Sequence, residues 1–319
     1  MSDFRRVLIT GGGGFVGRYL RAALFKAMPD ADVVFTARMA AAAQDVSCVS
    51  LDLADRAGVN ALIESVRPDL VAHLAAQSSV GSASGAAAAT WATNVGGAIA
   101  LADALARCVP DVTVLSVSSS EVYGQSFLDG PVSENSLLRP ANVYGRTKAA
   151  AEAVFSDILP ATAKLIIVRP FNHTGPGQGE RFVVPSLAAQ IARIERGEQE
   201  PPIRVGNLDA ERDFLDVRDV VRAYVGLIEQ ARALPARSVF NISSGRAVKI
   251  SDVLSSLLAM ARLAIPVDQE PARMRRSEIP CAVGDASPIM SAIGWAPRID
   301  LNKTLHDVLC AFRRNPPNR

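Results

Sequence analysis

Metal ligands and cross-linking residues are scarce in this chain. Its 319 residues include three histidines and four cysteines, and Cys48, Cys108, Cys281 and Cys310 lie far apart with no C-x-x-C spacing. That pattern excludes a disulfide framework and a zinc site, so no metal is expected. An excess of one charge is also lacking: the formal net charge is +2, which gives no electrostatic footprint for nucleic acid. No window approaches the roughly 18 consecutive apolar residues of a membrane span. Met1 to Arg6 run into a strand without an apolar signal segment, so a cytoplasmic protein is expected.

What is present is a large apolar fraction, 49%, in a chain longer than one core usually needs. Short β-rich runs occur at Val7–Ile9, Val33–Phe35, Cys48–Leu51, Leu70–Leu74, Val112–Leu115 and Leu165–Val168. Ala-rich stretches of helical length lie between them, notably 85–108 and 143–160. This alternation predicts an α/β fold, a doubly wound parallel Rossmann sheet with a second, smaller α/β substrate lobe. Beyond residue 170 the pattern predicts helices over 183–196, 217–233 and 250–262 and strands at Ile203–Val205 and Ser238–Ser243. The expected division is a dinucleotide-binding domain of 1–170 with about 215–245, and a lobe of about 171–214 and 246–319.

Thr10-Gly-Gly-Gly-Gly-Phe-Val-Gly17 joins the first strand to the first helix, with glycines at 11, 14 and 17. Such a turn lets the backbone approach a pyrophosphate, whose charge meets the exposed N–H groups of the helix terminus. An acid at the end of the second strand would bond an adenosine ribose hydroxyl, whereas arginine accommodates a 2′-phosphate. The stretch there is Phe35-Thr-Ala-Arg38. NADP(H) is therefore the preferred cofactor and NAD(H) the alternative, with Thr36 and Arg38 at the phosphate.

Tyr144-Gly-Arg-Thr-Lys148 places a phenol and an ammonium four residues apart, hence on one helix face. A tyrosine pKa near 10 must fall by about three units to exchange protons readily at neutral pH, roughly 4 kcal/mol of differential stabilisation. A lysine charge at about 4 Å in a partly shielded site supplies that much. Ser118-Ser-Ser-Glu-Val-Tyr-Gly124 ends the fifth strand, where a hydroxyl can orient a substrate carbonyl.

The G-x-x-G-x-x-G turn resembles that of the short-chain dehydrogenase/reductase group. In its extended form the catalytic Ser or Thr lies four residues before the Tyr of a V-Y-G sequence, which implies Ser119. Tyr144 and Lys148 complete the triad. The same resemblance sets Gly11, Gly14, Phe15, Val16, Gly17, Leu74, Ala75 and Ala76 against the cofactor, and Asp52 and Leu53 at its adenine. It also gives Asn94 a cofactor-side place, with a routine buried hydrogen bond as the equal alternative.

Arg169-Pro-Phe-Asn-His-Thr-Gly-Pro-Gly-Gln178, Phe182-Val-Val-Pro185, the run Val205–Asp219, Arg275–Pro280 and Gly294-Trp-Ala-Pro297 closely resemble the GDP-4-dehydro-6-deoxy-mannose reductases. This resemblance implies that Asn172, Arg212 and Arg275 clamp a diphosphate and that Glu278 meets the nucleoside ribose. Ser79, Ser119, His173 and Val183 complete the implied substrate contacts, His173 being equally a structural hydrogen-bonder. The family usually has Pro where Arg276 stands, which leaves open which arginine binds. Glu121 matches a catalytic carboxylate of the related GDP-mannose 4,6-dehydratases. The expected activity is NADPH-dependent reduction of GDP-4-dehydro-6-deoxy-D-mannose at C4, to GDP-D-rhamnose or GDP-6-deoxy-D-talose. A GDP-mannose 4,6-dehydratase and an inactive NADP-binding sensor are the alternatives, and a homodimer is typical of the group.

Overall fold

The computed structural model describes residues 4–38, 48–77, 85–270 and 279–314. Strand β1 (Arg6–Thr10) is followed by α1 (Phe15–Ala27), β2 (Asp32–Ala37), β3 (Cys48–Ser50), α2 (Arg56–Val66) and β4 (Leu70–His73). Next come α3 (Ala87–Trp91), a π-helical turn (Ala92–Gly96), α4 (Gly97–Cys108), β5 (Thr113–Val117), α5 (Val143–Ile158) and β6 (Lys164–Pro170). These strands and β11 (Arg237–Ile242) form one seven-stranded sheet in the order β3-β2-β1-β4-β5-β6-β11. Every pairing in it is parallel.

The apolar runs predicted a sheet covered on both faces, and both faces are covered. Val7 and Ile9 point to one core with Leu20 and Leu24 of α1; Leu8 and Val71 point to the other with Leu101 and Leu105 of α4 and Phe155 of α5. The strand order reverses between β1 and β4, so the carboxyl ends of β1, β4 and β5 open a crevice at the switch point.

The stretch 85–108, expected as one helix, is interrupted by the π turn. Asn94 within it accepts from the Gln77 amide at 2.8 Å and donates to Thr147 at 3.0 Å. These bonds tie the turn to the β4 exit and to α5. A wide helical turn of this kind commonly sits beside a functional site.

The chain after β6 is less irregular than its composition suggests. Asn172–Thr174 is a short strand, β7, parallel to β10 (Phe214–Asp216). A three-residue strand whose partner lies some forty residues onward leaves no local periodicity to read. Helix α6 (Val183–Glu195), β8 (Ile203–Val205), α8 (Ile250–Ala259) and α10 (Leu301–Arg314) build a separate core around Leu187, Ile191, Val253, Leu257 and Leu305, with β13 (Val267–Gln269) paired to β8 at its exposed edge. Between the cores stand β9 (Glu211–Arg212), β12 (Val248–Lys249) and β14 (Cys281–Ala282) as a three-stranded sheet. Helix α7 (Val217–Glu229) belongs to the α1 side, as do Ile289 of α9 (Ser287–Ile293) and Trp295.

Three buried aspartates pin this junction. Asp213 accepts from Ser244 and Gly245 amides at 2.7 and 2.9 Å. Asp216 caps α7 and accepts from Thr304 of α10 at 2.8 Å. Asp219 accepts from the amides of Arg298 and Ile299, both at 2.8 Å. All three side chains are fixed within the structure itself.

At the end of β4, His73 is buried, shares a 2.8 Å hydrogen bond with Thr10 and meets the Phe155 ring edge-on. Burial, reinforced by the Lys148 charge, lowers its pKa to about 3. An unfolded chain takes up this proton near pH 6.5, the folded one only near 3. Between those values the unfolded state binds more protons, so acid weakens the fold by up to about 1.4 kcal/mol per pH unit from this residue. Denaturant titrations from pH 7 to 4 should show a shallower pH slope for His73→Gln than for the wild type. Equal slopes would remove His73 as the cause.

Candidate active site

A cleft of about 860 Å³ runs over the crevice. Its floor is the glycine turn, where Gly11 has φ +74° and a Cβ would lie 2.8 Å from the Ala75 amide nitrogen. Only glycine meets both conditions. Helix α1 then begins at Gly14, which has no side-chain cap, and carries no acid in its first turn. Its free N–H groups and positive dipole end suit a pyrophosphate. Phe15, Val16 and Gly17 line the cleft beside this turn.

Beyond it the wall passes Thr36, Arg38, Asp52 and Leu53, and on the β4 side Leu74, Ala75 and Ala76. Thr36 is buried and accepts from the Gly11 amide at 3.3 Å, so its hydroxyl shapes the turn. Arg38 is exposed at the end of β2, where it can meet a phosphate. Asn94 does not line the cleft; its neighbour Thr93 does, and Asn94 makes the internal bonds already described.

Ser119, Glu121, Tyr144 and Lys148 converge on the opposite wall. Asn142 caps α5 by accepting from the Gly145 amide at 2.8 Å and donates to the Glu121 carboxylate at 2.6 Å. Gly145 allows this approach, because a Cβ there would lie 2.4 Å from the Glu121 carbonyl oxygen. The start of α5 is thus locked against the loop that carries Ser119, whose hydroxyl bonds the Tyr144 phenol and lowers its pKa. Burial outweighs that bond and holds Tyr144 above the usual phenol value.

Lys148 Nζ donates to the Val117 carbonyl at 2.6 Å, and burial brings its pKa down to about 8 against the opposing Glu152 charge. Where the spacing predicts a depressed phenol pKa, burial is the first cause at both groups and raises that of Tyr144. Tyr144 is held in its protonated form, as a proton donor to a ketone must be.

Beneath these groups lies an ion pair that motif reading missed. Arg169 donates from Nε to Glu152 Oε1 at 3.0 Å and from Nη2 to Oε2 at 2.6 Å, both side chains being under 10% exposed. The Ser118 hydroxyl donates to the same carboxylate. Arg169 Nη1 donates to the Tyr123 hydroxyl at 3.0 Å, which donates to Asn241 at 2.6 Å. The available signals were Glu152 four residues after Lys148, on the same helix face, and an arginine ending an apolar strand.

On the far side Asn172, His173 and Val183 line the cleft, as expected residues, together with Gln178, Arg181 and Tyr224, which were not expected. His173 stacks on Phe15 at 6.4 Å and 6°. Its Nδ1–H donates to the Phe171 carbonyl at 2.9 Å, and burial lowers its pKa, leaving a neutral ring with Nε2 as an acceptor. Arg212 does not line the cleft; it donates to the carbonyls of Glu211 and Ile279, at 2.7 and 3.2 Å. Its charge is nevertheless felt with Glu121. Ser79, Arg275 and Glu278 lie outside the described residues, as does Arg276.

Comparison with known proteins follows this geometry. The family model described as GDP-mannose 4,6 dehydratase matches residues 8–308. The chain is 35% identical over 308 residues to the GDP-6-deoxy-D-mannose reductase of Pseudomonas aeruginosa, covering 96% of each. It is 25% identical over 291 residues, 91% of each, to the GDP-6-deoxy-D-talose 4-dehydrogenase of Aggregatibacter actinomycetemcomitans. The solved structure of RMD from Pseudomonas aeruginosa complexed with NADPH has a TM-score of 0.82 at 32% identity, over 97% of this chain and 99% of that one. A family match across nearly the whole length, joined by an end-to-end alignment with a reductase, places the chain: it belongs to the GDP-mannose 4,6 dehydratase family.

Proposed function

We propose that the protein is an NADPH-dependent oxidoreductase that reduces the C4 ketone of GDP-4-dehydro-6-deoxy-D-mannose. The observation that carries this reading is the meeting of Ser119, Tyr144 and Lys148 on one wall of a cleft whose floor is a glycine turn. The 35% identity to a GDP-6-deoxy-D-mannose reductase supports the substrate class, and a structural neighbour complexed with NADPH supports the cofactor.

The residues present fit a dinucleotide: a cradle at Gly11 that a Cβ would fill, an uncapped helix terminus and an arginine at the end of β2. Gly11, Gly14 and Gly17 would hold its pyrophosphate, Arg38 its 2′-phosphate, and Asp52 and Leu53 its adenine. When bound, the dihydronicotinamide supplies the hydride. Ser119 orients the ketone oxygen, Tyr144 delivers the proton to it, and Lys148, with an ammonium of pKa about 8, neighbours the phenol that must be reprotonated. Asn172 and Arg181 lie on the cleft wall across from these groups, where they serve the diphosphate together with Arg212 and Arg275. Glu121, held by Asn142, accepts from the sugar.

The lobe of about 171–214 with 246–319 is read as the nucleotide-sugar side, apart from Ile289 and Trp295, which pack on the α1 side of the sheet. A homodimer through the helices after β4 suits the exposure of Trp91 and Ile99 there. Among the described residues no helix is long and apolar enough to cross a membrane, and a cytoplasmic setting belongs to the same reading.

Incubation with the keto sugar and NADPH should oxidise the cofactor stoichiometrically and give a 6-deoxy sugar nucleotide whose C4 configuration NMR assigns. Consumption of GDP-mannose without net NADPH turnover would replace this reading by the dehydratase. Tyr144→Phe should lower kcat by at least about 100-fold while NADPH still binds. Arg38→Ala should weaken NADPH binding about ten-fold and leave NADH binding unchanged. Calorimetric titration with both cofactors checks this, and equal losses would take Arg38 off the phosphate.

A further inference from the structure

Tyr224 of α7 is wholly buried, yet its hydroxyl has no hydrogen-bond partner among the described residues. It also lines the cleft. A hydroxyl buried without a partner is unfavourable by an amount comparable to a lost hydrogen bond, so a retained one on a residue of the cleft lining points to a ligand atom. The same cleft holds a second orphan, Gln178 Oε1, whose amide nitrogen is used on the His173 carbonyl at 3.0 Å.

Position narrows the ligand group. Tyr224 packs in the core on the α1 side of the sheet, whereas α5, which carries Tyr144, packs in the core on the other side. The two phenols line one cleft from opposite faces of the sheet. The glycine turn accounts for a pyrophosphate, and Arg38, directly after β2, for the adenosine side. The reacting ring has to lie beside Tyr144, between the two phenols, and its one polar substituent is the carboxamide. The sugar then occupies the Ser119 and Glu121 side.

We propose that Tyr224 positions the nicotinamide ring, its hydroxyl donating to the carboxamide oxygen from the side of the ring away from Tyr144. This rests on the reading that the cleft takes a nicotinamide dinucleotide. The bond adds no chemistry of its own; it fixes the ring's rotation and hence which face meets the ketone.

The test is Tyr224→Phe in the full chain, which removes one oxygen and keeps the packing. Calorimetry should show about three- to ten-fold weaker NADPH binding. Binding of 2′-phospho-ADP-ribose, which lacks the nicotinamide, should be unchanged. Without ligand the variant should melt no lower than the wild type, because it loses only an unpartnered hydroxyl. Undiminished NADPH binding overturns the proposal, as does equal weakening of both ligands or a lower melting temperature of the ligand-free variant. A wild type that binds neither ligand overturns the cofactor reading and this proposal with it.

Discussion

The buried pair of Arg169 and Glu152 is the contact on which the site's geometry depends. It joins the end of β6 to α5, and through Ser118, Tyr123 and Asn241 it also binds the ends of β5 and β11. Two charges removed from water gain little net stability, but losing either partner strands the other at about 3–5 kcal/mol. The pair therefore acts less as a source of stability than as a constraint on position. Because Glu152 lies two helical turns from Tyr144, fixing one end of α5 on the sheet fixes where the phenol emerges.

Electrostatics in this region follow from dryness more than from paired charge. His73, Tyr144 and Lys148 are all driven toward their neutral forms by burial. Glu152 opposes this for Lys148, which keeps an ammonium available close to neutral pH. The reactive wall thus sets a protonated phenol beside the Lys148 ammonium and the Glu121 carboxylate, groups suited to transfer of a proton.

Much of this was legible in the sequence. Buried strands leave uninterrupted β-branched runs, and a glycine turn after the first of them has one common use. The residues named for the turn, Ser119, Tyr144 and Lys148 fall on the cleft because short motifs encode local geometry. The roles that escaped depend on distant partners. Thr36 is engaged by Gly11, whereas the buried hydrogen bonds of Asn94 to Gln77 and Thr147 are the alternative the sequence offered. Arg169, quoted as the first residue of a loop motif, is the guanidinium of the buried pair. The aspartates of 213–219 read as part of a family signature, and they are pins between two cores.

Tyr144, Lys148 and Glu152 recur every four residues along α5, and each step advances the helix face by about 40° beyond a full turn. The face rotates from the cleft at Tyr144 to the closed interior at Glu152, so helix phase alone sorts one side chain to the reactants and another to the foundation. Such a segment is intolerant of changes in length. One residue inserted between 144 and 152 would swing everything on one side of it by about 100°, separating the phenol from its anchor even if every side chain were retained. Within this stretch composition can change where length cannot.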